Sequence, residues 1–268
     1  GLVGSEMCIR DRSRSYMWLY GSGNDRLPPI RLYDYQPSRG GYHAEEFLKG
    51  FSGYLTCDGF SGYNKLKKVI RCGCLAHMRR YWYDALPGKM KTASEKPPAE
   101  IGFDYCNQLF KLEEKYAGLD ADTRKAKRLE TEPAIWEAYW SWLETVNPTG
   151  GSRLEKAVTY ARNQKPYMEN YLLDGRCSIS NNIAENIARP YAVGRKNFLF
   201  HDTVKGARSS AIIYSLVETA KLNNLNIYAY LETVLRYMPD YKNEPEGIEE
   251  LMPWSEMIQQ RCRIESKS

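Results

Sequence analysis

Length, composition and charge exclude several classes of protein. The chain has 268 residues, 43% hydrophobic and 26% charged, which suffices for a buried core in one large domain or two small ones. No apolar run reaches the roughly 20 residues of a membrane-spanning helix, and the N-terminus lacks a secretory pattern. Seven irregularly spaced cysteines are more typical of a reducing cytoplasm than of a disulfide framework. A net charge of +5 permits a polyanionic partner without establishing one.

The first twelve residues are set outside the predicted fold. Residues 1–12 (GLVGSEMCIRDR) show neither helical nor strand periodicity, so no regular element is predicted there. The string resembles the translation of sequencing-adapter DNA that has been read as part of the end of a reading frame. A genuine disordered N-terminus is the alternative, because chain ends that are not tied down fray.

Residues 13–87 alternate short apolar runs with turn signals. Two β-rich runs stand at hairpin distance, a compact apolar strand stops at Asp58, and a further strand leads into a helix. The predicted strands are 15–20, 30–35, 53–57 and 69–75, and the predicted helices are 44–51 and 76–86. Antiparallel strands followed by strand–helix alternation predict an α/β sheet covered by helices.

A polar loop at residues 87–100 separates this part from a segment that is helical to about Leu173. Four aromatic and apolar residues there recur at i, i+3, i+4 and i+7, which predicts the core of a helix bundle. They are Trp136, Tyr139, Trp140 and Leu143.

Two more helices are predicted towards the C-terminus. The first presents one apolar side, and the second covers residues 227–237 and ends before Pro239. The apolar side of the first comprises Ile212, Ile213, Leu216, Val217 and Ala220. We expect the tail beyond Tyr241 to be mobile.

Asp58 is the first candidate for chemistry. It directly follows the apolar strand 53–57, and open α/β sheets bind their ligands at the carboxyl ends of strands. Gly59 then permits a sharp turn or a close backbone approach. Because Asp-Gly is also a common turn, a structural role is the commoner explanation of the pair taken alone.

Glu185 is the second candidate, in the stretch ISNNIAENIARP. Residues 180–182 are all good N-caps and predict the start of a helix. The helix dipole favours a carboxylate in an early turn, and Arg189 lies four residues further on the same face. A routine capped helix with one ion pair is the alternative, although Pro190 disrupts a hydrogen bond inside it.

Basic residues crowd the stretch 189–208, interleaved with aromatic residues. They are Arg189, Arg195, Lys196, Lys205 and Arg208. Phosphate contacts explain such a cluster, and a solvated face explains it equally well. A second group, Cys72, Cys74 and His77, offers three zinc ligands. Zinc is a minor alternative there, because no second ligand pair follows at the usual spacing.

Four long stretches together carry a resemblance to a known family. They are YDYQPSRGGYHAEEFLKGFSGYLTCDGFSGYNKL, CGCLAHMRRYW, ISNNIAENIARPYAVGRKNFLF and GARSSAIIYSLVETAKLNNLNIYAYL. They resemble the transposases of the insertion-sequence-66 family, over about residues 15–240 and least closely in the helical middle. Several long motifs in the right order are more specific than any single acidic residue.

The resemblance implies a fold and a domain organisation. The implied fold is α/β, an RNase H-like mixed sheet flanked by helices and interrupted by an all-α insertion domain. Residues 1–12 would be the foreign or disordered N-terminus. The implied parts that follow are 13–87 (first part of the catalytic core), 88–172 (helical insertion), 173–222 (second part, with the glutamate) and 223–268 (C-terminal helix and tail).

The resemblance also implies site residues. Asp58 and Glu185 match the family's second and third acidic residues, and would be catalytic residues and ligands of Mg²⁺ or Mn²⁺, with two ions in the intact site. The implied DNA-binding residues are His77, Arg79, Arg80, Arg189, Arg195, Lys196, Lys205 and Arg208. The family's first aspartate lies on an upstream strand; residues 1–12 stand in its place, and Asp11 does not match its context.

The implied function is DNA transposition of a bacterial insertion sequence. In the implied mechanism water cuts the DNA, and the freed 3′-hydroxyl attacks the target by in-line displacement. Double-stranded DNA, at transposon ends and target, would be the partner of an oligomer in the bacterial cytoplasm, with element-encoded accessory proteins beside it. Since the first acid is missing, we expect an N-terminally truncated, nearly inactive chain. The alternative is a catalytically inactive DNA-binding remnant.

Overall fold

The computed structural model describes residues 2–10, 14–23, 27–87, 96–198, 203–243 and 245–264, apart from the side chains of residues 6, 8–10, 14 and 195–198. The chain divides into two compact units. Within the described ranges, the first unit is built from residues 2–5 and 40–183, and the second from residues 6–22, 27–39 and 184–264.

Five strands of the described residues form one mixed sheet. They are β1 (Leu2–Arg10), β2 (Arg14–Ser22), β3 (Arg31–Gln36), β4 (Gly53–Cys57) and β5 (Val69–Gly73). Their order is β3-β2-β1-β4-β5. β2 and β3 pair antiparallel, with Met17 opposite Tyr35, whereas β4 runs parallel to β1 and β5. The predicted α/β class, the antiparallel pair and the strand before Asp58 are therefore confirmed.

β1 corrects the expectation for the N-terminus. Residues 2–10 form a strand, although residues 1–12 were expected to lack regular structure. Three residue pairs fix its parallel register on β4: Leu2 with Leu55, Val3 with Thr56 and Gly4 with Cys57. Strand formation depends on pairing with neighbours more than on local pattern. A segment without periodicity is therefore ordered here by its partner strand.

Five α-helices complete the first unit. They are α1 (Gly41–Phe47), α2 (Leu75–Asp84), α3 (Pro98–Tyr116), α4 (Ala121–Thr145) and α5 (Arg153–Met168). The side chains of Asp120 and Ser152 accept backbone N–H groups at the starts of α4 and α5, as N-caps do. All four residues of the predicted aromatic stripe are buried, so the helix-bundle core is confirmed. The described part of the predicted insertion, residues 96–172, lies in one compact unit with β4, β5 and α2.

A buried ion pair ties α3 and α4 to the segment after α5. Arg128, 1% exposed, donates to both carboxylate oxygens of Glu113 at 2.7 and 2.6 Å. It also donates to the carbonyls of Tyr171 and Cys177. Beside it, fully buried Glu132 accepts the Tyr171 hydroxyl, and burial raises the pKa of Glu132 to about 7.

The remaining helices are α6 (Asn182–Phe198), α7 (Val204–Leu222), α8 (Ile227–Tyr237) and α9 (Glu256–Cys262). The bounds predicted for α8 are confirmed. The expectation of a mobile tail is wrong for residues 245–264, because Ile258 and Cys262 pack in one apolar cluster with Leu225 and Tyr230. The backbone N–H of Asn226 also donates to the Cys262 carbonyl at 2.7 Å.

The predicted apolar side of α7 is confirmed only in part. Leu216 and Ala220 pack in the apolar cluster of α8 and α9, but Ile212 is 60% exposed. The hydroxyls of Ser215 and Thr219 face β3. The backbone N–H groups of Tyr33 and Arg31 donate to these hydroxyls at 2.8 and 3.0 Å. β3 is an edge strand, and an edge strand needs partners for its unpaired backbone groups. Hydroxyls on α7 supply these partners. The spacing of apolar residues alone therefore did not predict which residues of α7 contact β3.

Candidate metal and nucleic-acid site

Asp58 lies at the carboxyl end of β4 and is half-buried. Its Oδ1 accepts a hydrogen bond from the backbone N–H of Phe60 at 3.0 Å, and among the described residues this is the one donor to the carboxylate. One carboxylate oxygen of Asp58 therefore stabilises a turn, which is the structural role expected for an Asp-Gly pair. The second oxygen remains available to a ligand at the end of the strand.

Helix α5 covers the turn that follows Asp58. A Cβ atom placed on Gly59 would lie 2.9 Å from Tyr160 Cε2 and 3.0 Å from Gln164 Nε2. Atoms at these distances overlap, so the close approach needs a residue without a side chain. Tyr160 and Gln164 are thereby neighbours of the candidate acid, although they follow it by a hundred residues in sequence.

Arg71 on β5 is the buried cation of this site. Its Nη2 donates to the Asp58 carbonyl at 3.3 Å, and its Nη1 donates to Asn64 Oδ1. The guanidinium carbon lies 4.1 Å from the centroid of the Tyr167 ring. Sequence reasoning missed Arg71; a charged residue inside a predicted buried strand was the available signal.

Tyr160 keeps its proton at this site. Burial raises the pKa of its hydroxyl, and the neighbouring Cys74 and Asp58 raise it further. Its ring stacks on Tyr81, with centroids 4.5 Å apart. The hydroxyl is therefore a hydrogen-bond donor throughout the physiological pH range.

Among the described residues, the cysteines near Asp58 are not grouped as zinc ligands. Cys74 Sγ accepts the Asn181 backbone N–H at 3.4 Å, and a hydrogen bond with Cys177 and then burial raise the pKa of the Cys72 thiol. The six cysteines whose side chains are described are buried, and none of them is in a disulfide bond. Within the described residues, no three or more His, Cys, Asp or Glu are grouped to hold a metal. The zinc alternative thus gains no support.

Glu185 lies in the first turn of α6, as predicted, and is exposed. The helix buries Ala184, Ile187 and Tyr191 on its other side, and the Tyr33 hydroxyl donates to the Ile187 carbonyl at 2.6 Å. This packing fixes the helix backbone and leaves Glu185 facing outwards. Asp58 and Glu185 belong to different compact units.

The predicted DNA-binding residues differ in exposure. His77 and Arg79 are half-buried. The exposed members are Arg80, Arg189, Lys205 and Arg208. The side chains of Arg195 and Lys196 lie outside the described residues. Four of the predicted DNA-binding residues are therefore exposed on the described part of the chain.

Arg79 lies in a cleft between α2 and α3 with a volume of about 650 Å³. Its Nε donates to Asn107 Oδ1 at 2.6 Å, and its guanidinium carbon lies 4.6 Å from the Phe103 ring centroid. Asp104 and Lys111 also line the cleft. Arg79 thus joins two helices, and exposed Arg80 pairs with Asp84 at 4.0 Å on α2.

Two family models match the chain. One, described as Transposase IS66 family, covers residues 8–209; the other, IS66 C-terminal element, covers residues 215–254. Among curated proteins, the chain is similar to the uncharacterized proteins y4qI and y4hP of Sinorhizobium fredii. It is 31% identical to y4qI over 91% of this chain and 47% of that protein. It is 28% identical to y4hP over 85% of this chain and 44% of that protein. No solved structure matches the chain.

An α/β chain with a carboxylate at the end of a parallel strand and exposed cations has the features of a nucleic-acid-processing protein. With three quarters of its length matched by one family model, the chain belongs to the IS66 family of transposases. The resemblance drawn from the four motifs is confirmed. The chain spans about half the length of the curated relatives it matches. No described helix is long and apolar enough to cross a membrane.

Proposed function

We propose that the chain is the catalytic region of a DDE transposase with an RNase H-like fold. It would cut DNA and transfer the cut strand by in-line phosphoryl displacement. One observation carries the proposal: in a chain of a transposase family, Asp58 ends a parallel strand beside buried Arg71. This edge of an open α/β sheet is where ligands bind.

Asp58 and Glu185 would hold the divalent ions, Mg²⁺ or Mn²⁺, two of them in the intact family site. Asp58 fits this role because its turn occupies only one carboxylate oxygen, and Mg²⁺ prefers oxygen ligands. Glu185 fits because it faces outwards from the first turn of α6. Bound ions would stabilise the negative charge that develops on the phosphoryl oxygens. Cys72, Cys74 and His77 offer the softer ligands that Mg²⁺ disfavours.

Double-stranded DNA is the proposed partner. The exposed cations on α2, α6 and α7 would contact its phosphates, and Arg71 would add a positive charge beside Asp58. Phosphate contacts release counterions, so affinity should fall as salt rises, with a slope near −0.9 per contact. Oligomerisation on paired DNA ends and element-encoded helper proteins belong to the same proposal.

The register of β1 indicates where a first acid would lie. Gly4 pairs with Cys57, so the next residue, Ser5, continues the register beside Asp58. Neighbouring strands lie about 4.8 Å apart, a separation at which two carboxylates can share a cation. Residues 2–10 contain no aspartate, which favours the second candidate function, a DNA-binding chain without catalysis.

Two measurements separate these candidates. Salt-dependent binding of a labelled DNA duplex is expected under both, and a salt-insensitive or absent interaction would refute both. Mg²⁺-dependent cleavage by a Ser5→Asp variant is expected only if the site is catalytic. Asp58→Asn in the same variant should abolish that cleavage while DNA binding persists.

A further inference from the structure

Three buried polar side chains and half-buried Tyr160, in the part of the first unit that contains the Asp58-Gly59 turn, have buried atoms without a hydrogen bond. We call this set the polar wall; it comprises Arg71, Tyr160, Gln164 and Asn181. Among the described residues, no partner is found for Arg71 Nε, the Tyr160 hydroxyl, Gln164 Oε1 or either amide atom of Asn181. Native proteins leave few buried polar groups unsatisfied, so their concentration at one place marks a binding site.

Contacts within the first unit bring the polar wall together. Tyr160 and Gln164 lie against Gly59, and Arg71 donates to the Asp58 carbonyl. The Asn181 N–H donates to Cys74 Sγ, and Cys74 is an electrostatic neighbour of Tyr160. Arg71, Tyr160 and Gln164 therefore lie at the carboxyl end of β4, and the Asn181 backbone lies beside Cys74, which directly follows β5.

Arg71 identifies the charge of the missing ligand. The side chain is 6% exposed, and its described hydrogen bonds go to neutral oxygens, Asn64 Oδ1 and the Asp58 carbonyl. A buried cation without an anion is costly. The same unit shows the usual solution at Arg128, whose guanidinium is paired with the Glu113 carboxylate. Arg71 has no such partner among the described residues, so an anionic ligand is favoured.

Asn181 supports a role in binding rather than in folding. It directly precedes α6, where an asparagine side chain normally accepts a backbone N–H of the helix. Here the side chain is 1% exposed, and neither its oxygen nor its nitrogen has a partner. An amide that does not cap its helix remains available to a ligand.

We propose that the polar wall binds the non-bridging oxygens of one DNA backbone phosphate at Asp58. The Arg71 Nε–H, the Tyr160 hydroxyl and the N–H groups of the Asn181 and Gln164 amides would donate to these oxygens, which only accept hydrogen bonds. Arg71 would supply the charge that offsets the nearby carboxylate. The wall thus gives helix α5 a part in holding the DNA strand. This inference rests on the proposed function, because it takes DNA as the ligand.

The test compares Tyr160→Phe with Tyr105→Phe in the full chain, using anisotropy of a fluorescein-labelled DNA duplex with Ca²⁺ present. Tyr105 is a matched control, since it is a partly buried tyrosine of the same unit that packs on Tyr139. Losing a hydrogen bond to a charged phosphate should weaken DNA binding by about tenfold in Tyr160→Phe. Tyr105→Phe should bind like the unmodified chain.

Thermal melting of the same proteins separates binding from folding. Because Tyr160→Phe removes an unpartnered buried hydroxyl, its melting temperature should equal or exceed that of the unmodified chain. Weakened binding without loss of stability would support the proposal. Unchanged binding, or weakened binding with a lower melting temperature, would overturn it.

A second variant tests whether any loss of binding is specific to the Tyr160 ring. Gln164→Met keeps the side-chain volume and removes the amide, and should also weaken DNA binding without lowering the melting temperature. If Tyr160→Phe and Gln164→Met both bind as the unmodified chain does, the polar wall is wrong and the proposed function stands. If the unmodified chain binds no DNA, both fail.

Discussion

Gly59→Ala is the change that tests most simply how helix α5 meets the Asp58 turn. The added Cβ would lie 2.9 Å from Tyr160 Cε2 and 3.0 Å from Gln164 Nε2. The Gln164 amide can rotate away, whereas the Tyr160 ring is held by its stack on Tyr81. Either the ring or the turn must therefore move. Overpacking of this kind costs about 1–3 kcal/mol.

The matched control for this change is Gly118→Ala. A Cβ on Gly118 meets no atom within 4 Å, so the same chemical change should leave stability nearly unaltered. Urea denaturation followed by tryptophan fluorescence gives the free energy of unfolding of both variants. A lower free energy for Gly59→Ala alone is expected. Equal free energies for the two variants would refute the packing of Tyr160 and Gln164 on this turn.

Three further predictions concern charge. Arg128→Met removes the buried partner of half-buried Glu113, so urea denaturation should show a loss of up to about 3 kcal/mol, the lower end of the range for a fully buried pair; Lys127→Met, on the exposed side of the same helix, should show none. Burial raises the pKa of Glu132 from 4.5 to about 7, so the folded state retains a proton that the unfolded state loses, and stability falls as pH rises between these values. Glu132→Gln should remove that fall when unfolding is measured at pH 5 and pH 7, and an unchanged profile would contradict the assignment. Arg189→Ala should lower the salt slope of DNA binding by about one; an unaltered slope would exclude Arg189 from phosphate contact.

Local patterns predicted the elements that depend on local chemistry. The strand at residues 53–57 and the helix at 227–237 have the predicted bounds, because an apolar run closed by Asp-Gly and an amphipathic period are local signals. Asp58 and Glu185 were found from their positions relative to a strand and a helix start. Their interpretation as acids of one site came from the family resemblance.

The features that sequence reasoning missed depend on distant contacts. β1 is ordered by pairing with β4, and the packed face of α7 is set by the backbone of an edge strand. Tyr160 becomes a neighbour of Asp58 only because α5 folds over Gly59. No periodicity or motif within the single segments indicates these contacts. They are therefore seen only in the folded structure.

Nicking of supercoiled plasmid DNA by the Ser5→Asp variant tests whether Asp58 holds a catalytic metal ion. We expect Mg²⁺-dependent nicking by this variant, little or none by the unmodified chain, and none by Ser5→Asp combined with Asp58→Asn. All three proteins should bind the plasmid with similar affinity. Nicking that persists in the Asp58→Asn combination, or a Ser5→Asp variant that binds DNA without cutting it, would contradict the assignment of Asp58 to a catalytic metal site.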